Sequence, residues 1–497
     1  MSFADRWAEA SAAPLDPALL DALARSALEE DEEERALDLI APAGRQSSDP
    51  HLWHWAGVLQ RALDDHIEAF ASFNEALRLD PANFAIAYGL ARVALEAGWD
   101  AVPHFERART LGPPTSELLQ GLSAARFAQG QGEAAAAEVD DVLAQSPFWL
   151  DGYRQIAQLR ALLGQSEQTS EALERSIAQH PAEERLWLTL LNLNLAASQF
   201  AELDTNVGRA KAAGVGQSFA AFEAVAAGET GDVDRAERLF AEPGAPPIWH
   251  IRHLLRTGRA ADSLPLIDAA LAGADRAAAW PYAATAWRAV GDPRVDWLAG
   301  TDNFVSVTDL TSALPPIDRL AETLRGLHRS SGAYLDQSVR GGTQTDGPLF
   351  SRTEPDIRHS RVALVSAVTR YVDELPAPDP DHPLLGPRRD RRVRFAGSWS
   401  VRLRGAGFHE SHVHNHGWIS SALYLALPDG PDGPVRDNGA LQFGVPPAAL
   451  NLALGPIAEV EPEVGRLVLF PSWLWHGTRP FSTGERLTVA FDVGARR

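Results

Sequence analysis

His412-Val413-His414-Asn415-His416-Gly417-Trp418-Ile419-Ser420-Ser421-Ala422-Leu423-Tyr424-Leu425 is the stretch whose reading decides the fold. Around it the apolar period is 2. Trp399, Val401 and Leu403 alternate with Ser400, Arg402 and Arg404. Leu423, Leu425 and Leu427 alternate with Ala422, Tyr424 and Ala426, and Leu487, Val489 and Phe491 with Arg486, Thr488 and Ala490. Such alternation predicts strands with one apolar and one small or polar face. Turn clusters such as Pro428–Gly433 divide them, which predicts an antiparallel sandwich or jelly-roll. Residues i and i+2 of a strand share a side, so His412 and His414 can reach one ion together. His476 supplies a third imidazole from a neighbouring strand end. Imidazole suits Fe, Zn, Cu or Ni, and three ligands on one side leave positions open for substrate and oxygen. Arg486 and Thr488 share a face and form a fork suited to a carboxylate, with Tyr424 able to add a phenolic hydrogen bond.

These residues carry a resemblance to a known family. The segment His412–Leu425 resembles the first motif of the Fe(II)/2-oxoglutarate-dependent dioxygenases. It is most similar to a bacterial and phage group with an HxH signature followed by a Ser and a Tyr-containing strand. Phe470-Pro471-Ser472-Trp473-Leu474-Trp475-His476-Gly477-Thr478 resembles the second motif, and Arg486-Leu487-Thr488 the third. The resemblance implies a double-stranded β-helix and iron ligation by His412 and His476. His414 stands where most of the superfamily has a carboxylate. It is then either a third ligand or part of a site of two histidines and water, as in the aspartyl/asparaginyl β-hydroxylases; strand parity favours ligation. Arg486, Thr488 and Tyr424 would hold 2-oxoglutarate. Hydroxylation with O2 as cosubstrate, succinate and CO2 as coproducts and ascorbate as a supporting reductant would follow. No catalytic residue beyond the metal centre is expected.

The first three hundred residues have another texture. Pro50, Pro81, Pro113, Pro147 and Pro181 recur at spacings of 31, 32, 34 and 34 residues. Gly98, Gly130 and Gly164 mark a second turn within each unit. Each unit reads as helix, glycine turn, helix, proline stop, which resembles the tetratricopeptide repeat. The pattern is regular over 35–215 and loosens over 215–300, where Gly231, Gly258 and Gly291 still punctuate helical segments. Such units stack into an α-solenoid. The expected division is therefore 1–300 repeats, 301–391 a helical and loop support region, and 392–497 the β-helix core. Within the middle region helices are expected around Ile317–Leu327 and Ser360–Leu375. The polar stretch Gln337–Thr345 lacks the order of a phosphate loop.

Fusion of a solenoid to an oxygenase motif points to a peptide or protein substrate delivered by the repeats. The alternatives are a small-molecule hydroxylase whose repeats serve assembly into a homo-oligomer, a repeat adaptor with an inactive oxygenase-like domain, and a cupin-type zinc or manganese enzyme. Composition narrows the classes. The net charge of −21 argues against a nucleic-acid binder. With no cysteine, thiolate metal sites and disulfides are excluded. No apolar run is long enough to span a bilayer, and the start lacks a signal-peptide pattern, so a cytoplasmic protein is expected. Lys211 is the only lysine among many arginines, the skew of a GC-rich bacterial genome. Several residues get plainer readings. His409 is left as a surface histidine, and His416 is kept as a support beside the metal. Arg402 and Arg404 are taken as solvated, and Trp473 and Trp475 as packing. Asp492 is set aside as too distant to be a ligand, and Glu29–Glu34 is read as a solvated helix face.

Overall fold

The computed structural model describes residues 1–216, 219–300, 304–332, 338–430, 433–434, 439–481 and 483–495. Among these, nineteen α-helices between Phe3 and Ala299 form the expected solenoid of antiparallel pairs. The local chemistry explains their starts. Asp49 caps Pro50–Ala62 by accepting from His51 N at 2.8 Å, with Pro50 at the first helical position. Asn83 and Thr115 cap Phe84–Glu96 and Ser116–Ala128 in the same way. The unit glycines end helices because their backbones are left-handed: φ is +82° at Gly98, +76° at Gly130 and +79° at Gly164. Helix pairs continue through the looser 219–300 segment, again broken at Gly231, Gly258 and Gly291. No helix among the described residues is long and apolar enough to cross a membrane.

Among the described residues the C-terminal part holds eleven strands: β1 (Ser306–Asp309), β2 (Val339–Gln344), β3 (Phe395–His409), β4 (Ile419–Ala426), β5 (Asp429–Gly430), β6 (Gly433–Pro434), β7 (Leu441–Phe443), β8 (Ala458–Val460), β9 (Arg466–Pro471), β10 (His476–Thr478) and β11 (Glu485–Val493). Six form one antiparallel sheet in the order β1-β9-β4-β11-β3-β2, and a second sheet has the order β10-β7-β8. This matches the expected fold class, an α-solenoid followed by antiparallel sheets with flanking helices. Pro431 and Asp432 of the expected turn Pro428–Gly433 lie outside the described residues. The 301–391 region holds helices Ile317–Arg325 and Pro355–Glu374, but also contributes β1 and β2 to the main sheet. Most of the polar stretch Gln337–Thr345 is strand β2, while Gln337 lies outside the described residues. Leu423, Leu425, Leu487, Val489 and Phe491 pack on one side against helix Pro355–Glu374, so their polar neighbours face the other side.

The hydrophobic core runs across residue 300. Ile251, Trp280, Trp287 and Leu298 of the last helices share one buried cluster with Tyr424, Phe443, Phe470 and Trp473. At the other end of the solenoid, the Glu29–Glu34 run is not a solvated face. Glu32 and Glu33 are buried and pair with Arg391 and Arg394 of the segment leading into β3. Arg394 is bidentate to Glu33, at 2.8 and 2.9 Å, and reaches Glu34 at 3.0 Å. Arg361 reaches Asp64 at 3.4 Å. These contacts bridge more than 290 residues of sequence, so no local pattern could announce them. Arg394→Ala would strand Glu33 at a buried position, so it should cost about 3 kcal/mol and lower the urea midpoint. An unchanged midpoint would show that the pair is solvated after all.

Candidate metal centre

The three histidines meet where the chain leaves β3 and crosses to the second sheet. His412 and His476 exchange backbone hydrogen bonds, N to O at 3.0 Å in both directions. His414 N donates to Ser472 O at 3.0 Å. His412 and His414 lie outside the named strands, contrary to the expectation. These bonds to 472–476 fix both residues, and their ring centroids lie 5.0 Å apart on the same side. One ligand nitrogen from each ring lies within 4.8 Å of the others.

Each ring is fixed through Nδ1. That of His412 lies 2.8 Å from Glu410 O, that of His476 3.0 Å from Leu474 O, and that of His414 2.6 Å from Asp492 Oδ1. A carbonyl oxygen only accepts, so Nδ1 of His412 and of His476 carries the proton and their Nε2 atoms keep a lone pair. Burial pushes the pKa of His412 down to about 3 and that of His476 well below the usual value, with His414 and His412 adding to the effect. Both rings are therefore neutral near pH 7, the form that binds metals.

Asp492 was set aside in the sequence reading, and here it orients His414. It shares a face of β11 with Arg486, Thr488 and Ala490 and lies opposite Ser420 of β4. Ser420 Oγ donates to Asp492 Oδ1 at 2.6 Å and shares a bond of 2.8 Å with the buried Ser472 hydroxyl. The available signal was its even spacing from Arg486 together with the Ser420 of the first motif. Its distance along the strand rules out sharing the arginine's role, but not supporting a histidine.

A cavity of about 350 Å³ joins the triad to Tyr424, Arg486 and Thr488. The register explains the grouping, because Thr488 lies opposite both Val401 of β3 and Tyr424 of β4. Arg486 is only 2% exposed. Its guanidinium donates to Gly439 O at 2.8 Å and Thr478 Oγ1 at 2.9 Å, and burial lowers its pKa. No carboxylate among the described residues pairs with it. A buried cation without a counter-ion is costly, so this wall of the cavity favours an anion. Burial pushes the Tyr424 phenol up, against the opposing pull of Arg486, leaving a neutral hydroxyl.

The remaining histidines and tryptophans separate cleanly. His409 also lines the cavity, with its ring stacked 5.8 Å from that of His412, so it is not a surface residue. His416 is exposed, which corrects its placement beside the metal. Arg404 is exposed, as its plain reading had it, whereas Arg402 is half-buried and pairs with Glu485 at 3.2 Å. Trp473 and Trp475 pack as expected, and Trp475 does so against the solenoid: its Nε1 donates to Pro281 O and Thr285 Oγ1, each at 3.0 Å.

Residues 397–492 match the model of a family described as "Putative 2OG-Fe(II) oxygenase". Residues 61–182 match a second family, described as type VI secretion and including VasJ. None of the curated proteins compared matches the chain. Among solved structures, the domain is similar to a Pseudomonas putida prolyl-4-hydroxylase, at 19% identity over 41% of this chain and 97% of that one, TM-score 0.27. It is also similar to HygX from Streptomyces hygroscopicus with nickel and 2-oxoglutarate bound, at 13% identity over 38% and 82%, TM-score 0.26. The solenoid is similar to MamA from Desulfovibrio magneticus, at 18% identity over 34% and 97%, TM-score 0.29.

The carboxylate behind His414 makes a direct prediction. Asp492→Asn should weaken Fe(II) or Co(II) binding by about 10- to 100-fold in an anaerobic titration, because the ring loses its orienting acceptor. Equal affinity in the two proteins would remove Asp492 from the account.

Proposed function

We propose that this chain is an Fe(II)- and 2-oxoglutarate-dependent oxygenase that hydroxylates a peptide or protein side chain. The observation that carries the reading is one cavity holding two complementary halves. On one side stand three imidazoles whose ligand nitrogens converge; on the other stands a buried guanidinium that no carboxylate among the described residues pairs with. His412, His414 and His476 would hold Fe(II). Arg486, helped by Thr488 and Tyr424, would hold the distal carboxylate of 2-oxoglutarate. When bound, the metal and cosubstrate supply the oxidation: O2 places one oxygen atom in a C–H bond of the substrate and the other in succinate, with release of CO2.

The chain's own residues bind, orient and exclude water. The Nδ1 hydrogen bonds keep the three rings turned toward one centre, and the neutral His412 and His476 need not lose a proton before binding metal. Arg486 keeps its charge despite burial, because a guanidinium stays protonated at any physiological pH. Phe470, Trp399 and Val401 line the same cavity and limit the water around the reacting centre. The hydrogen bond from His414 to Asp492 favours three-histidine ligation over two histidines and water. It also counts against an adaptor with a decayed site, since Asp492, Ser420 and Ser472 serve that ring. The cupin-type reading gives the buried Arg486 no partner.

Turnover tests the reading. With Fe(II), O2 and ascorbate, the protein should convert 2-oxoglutarate to succinate. His412→Ala and His476→Ala should abolish this, and Arg486→Leu should raise the KM for 2-oxoglutarate by about 10-fold or more, the loss expected of one charge-assisted anchor. Succinate formation untouched by Arg486→Leu would overturn the assignment of the anchor.

A further inference from the structure

The solenoid and the oxygenase domain meet along the glycine turns of three successive repeats, and they do so unevenly. Gly98 sits against the Arg352 guanidinium, where an added Cβ would lie 2.5 Å from it. Trp99 Nε1 donates to Thr353 Oγ1 at 2.8 Å beside this turn. Gly164 lies against Ser331, and the backbone of Ser331 and Gly332 donates to Leu162 O at 2.9 and 3.1 Å. The middle turn is open, because a Cβ on Gly130 would meet nothing within 4 Å. Docking at the outer two repeats therefore leaves a passage at the central one.

That passage ends beside the metal-centre cavity. A cavity of about 450 Å³ runs between helices Phe84–Glu96 and Ser116–Ala128 on the solenoid and residues 327–330 and 344–348 of the oxygenase domain. A second cavity, of about 250 Å³, extends it along helix Leu150–Leu162 and shares Gln120, Ala124, Phe127 and Asp346 with it. At the other end Gln344, the last residue of β2, lines both the larger cavity and the one that holds the three histidines.

The polar groups along this track narrow its occupant. Gln155 and Gln158, which line the smaller cavity, and Ser330, which lines the larger, each carry a buried polar atom (Oε1, Nε2 and Oγ) without a hydrogen-bond partner among the described residues. An acceptor, a donor and a hydroxyl in series complement a chain that offers both N–H and C=O at each residue. Acidic Glu117 and Asp151 stand among Arg92, Arg154 and Arg329, so the track is mixed in charge and lacks the basic stripe a nucleic acid needs. Three neighbouring helices at roughly 8–10 Å spacing span about 20 Å, the length of about six extended residues. A metabolite-sized ligand would not need that length.

We propose that this groove carries an extended peptide segment, with its main-chain amides paired to Gln155, Gln158 and Ser330, past Gln344 into the metal-centre cavity. The inference deepens the peptide-hydroxylase reading and rests on it for the fate of the peptide, but not for its binding. The test is selection of phage-displayed random peptides on the full chain loaded with Fe(II) and 2-oxoglutarate, without oxygen. Selected peptides should bind Arg78→Ala, an exposed position that lines neither groove cavity, as they bind the parent protein. They should bind Ala124→Trp, which fills the shared wall of the two cavities, at least 10-fold more weakly. Gln120→Lys, at an exposed position of the same wall, gives the same comparison should the tryptophan variant fail to fold. On admission of O2 a bound peptide should gain the mass of one oxygen atom. No selected peptide, or peptides indifferent to both groove variants, would overturn the groove. Peptides that need the groove but are never oxidised would leave it standing and sink the hydroxylase reading instead.

Discussion

Three imidazoles can share one ion only if each is held in one tautomer and one orientation, and the rest of this structure depends on that constraint. Two rings are held by the backbone, through Glu410 O and Leu474 O, and the third by the carboxylate of Asp492. Each anchor comes from a different part of the fold. The Glu410 carbonyl lies just beyond β3, the Leu474 carbonyl in the turn between β9 and β10, and Asp492 near the end of β11. The bridge between His412 and His476 ties the crossing segment to the second sheet. The two sheets must therefore be in place before the nitrogens converge. Once they are, the polar face of β11 brings Arg486 and Thr488 to the opposite wall of the cavity without further adjustment.

The solenoid is joined to this site in three separate ways. Its last helices share a core with the strands behind the cavity, and Trp475, next to His476, is hydrogen-bonded to Pro281 and Thr285. Its first helices pair Glu32 and Glu33 with Arg391 and Arg394 at the entrance to β3. Its middle turns touch the 330–353 segment at two points and leave a passage between them. Apolar burial supplies the first attachment and buried ion pairs the second. The ion pairs add specificity of placement rather than large net stability.

What the sequence made legible followed from short-range rules. The proline and glycine periods predicted the helix pairs, and period-2 alternation placed Leu487, Val489 and Phe491 on the core side, with Arg486 and Thr488 opposite. Tyr424 was placed with them by the same parity. The motif resemblance brought His412, His414 and His476 together. What stayed hidden depended on pairing between distant segments. Asp492 reaches His414 only because β11 lies beside β4, and that register is not written in either strand alone. Glu32 and Glu33 look like part of a solvated acidic face until a cluster of arginines more than 350 residues later is folded onto them. His409 looks peripheral because it ends a strand, yet that strand end forms the lip of the cavity. His416, two residues beyond His414, follows the turn into solvent.

The central claim is that one cavity binds a metal with three imidazoles and an anion with Arg486, and that the two halves act together. Anaerobic calorimetric titration of 2-oxoglutarate into metal-free and Fe(II)-loaded protein tests this most directly. The account predicts one 2-oxoglutarate per chain, bound at least about 10-fold more tightly when Fe(II) is present. Binding of equal strength with and without metal would contradict it.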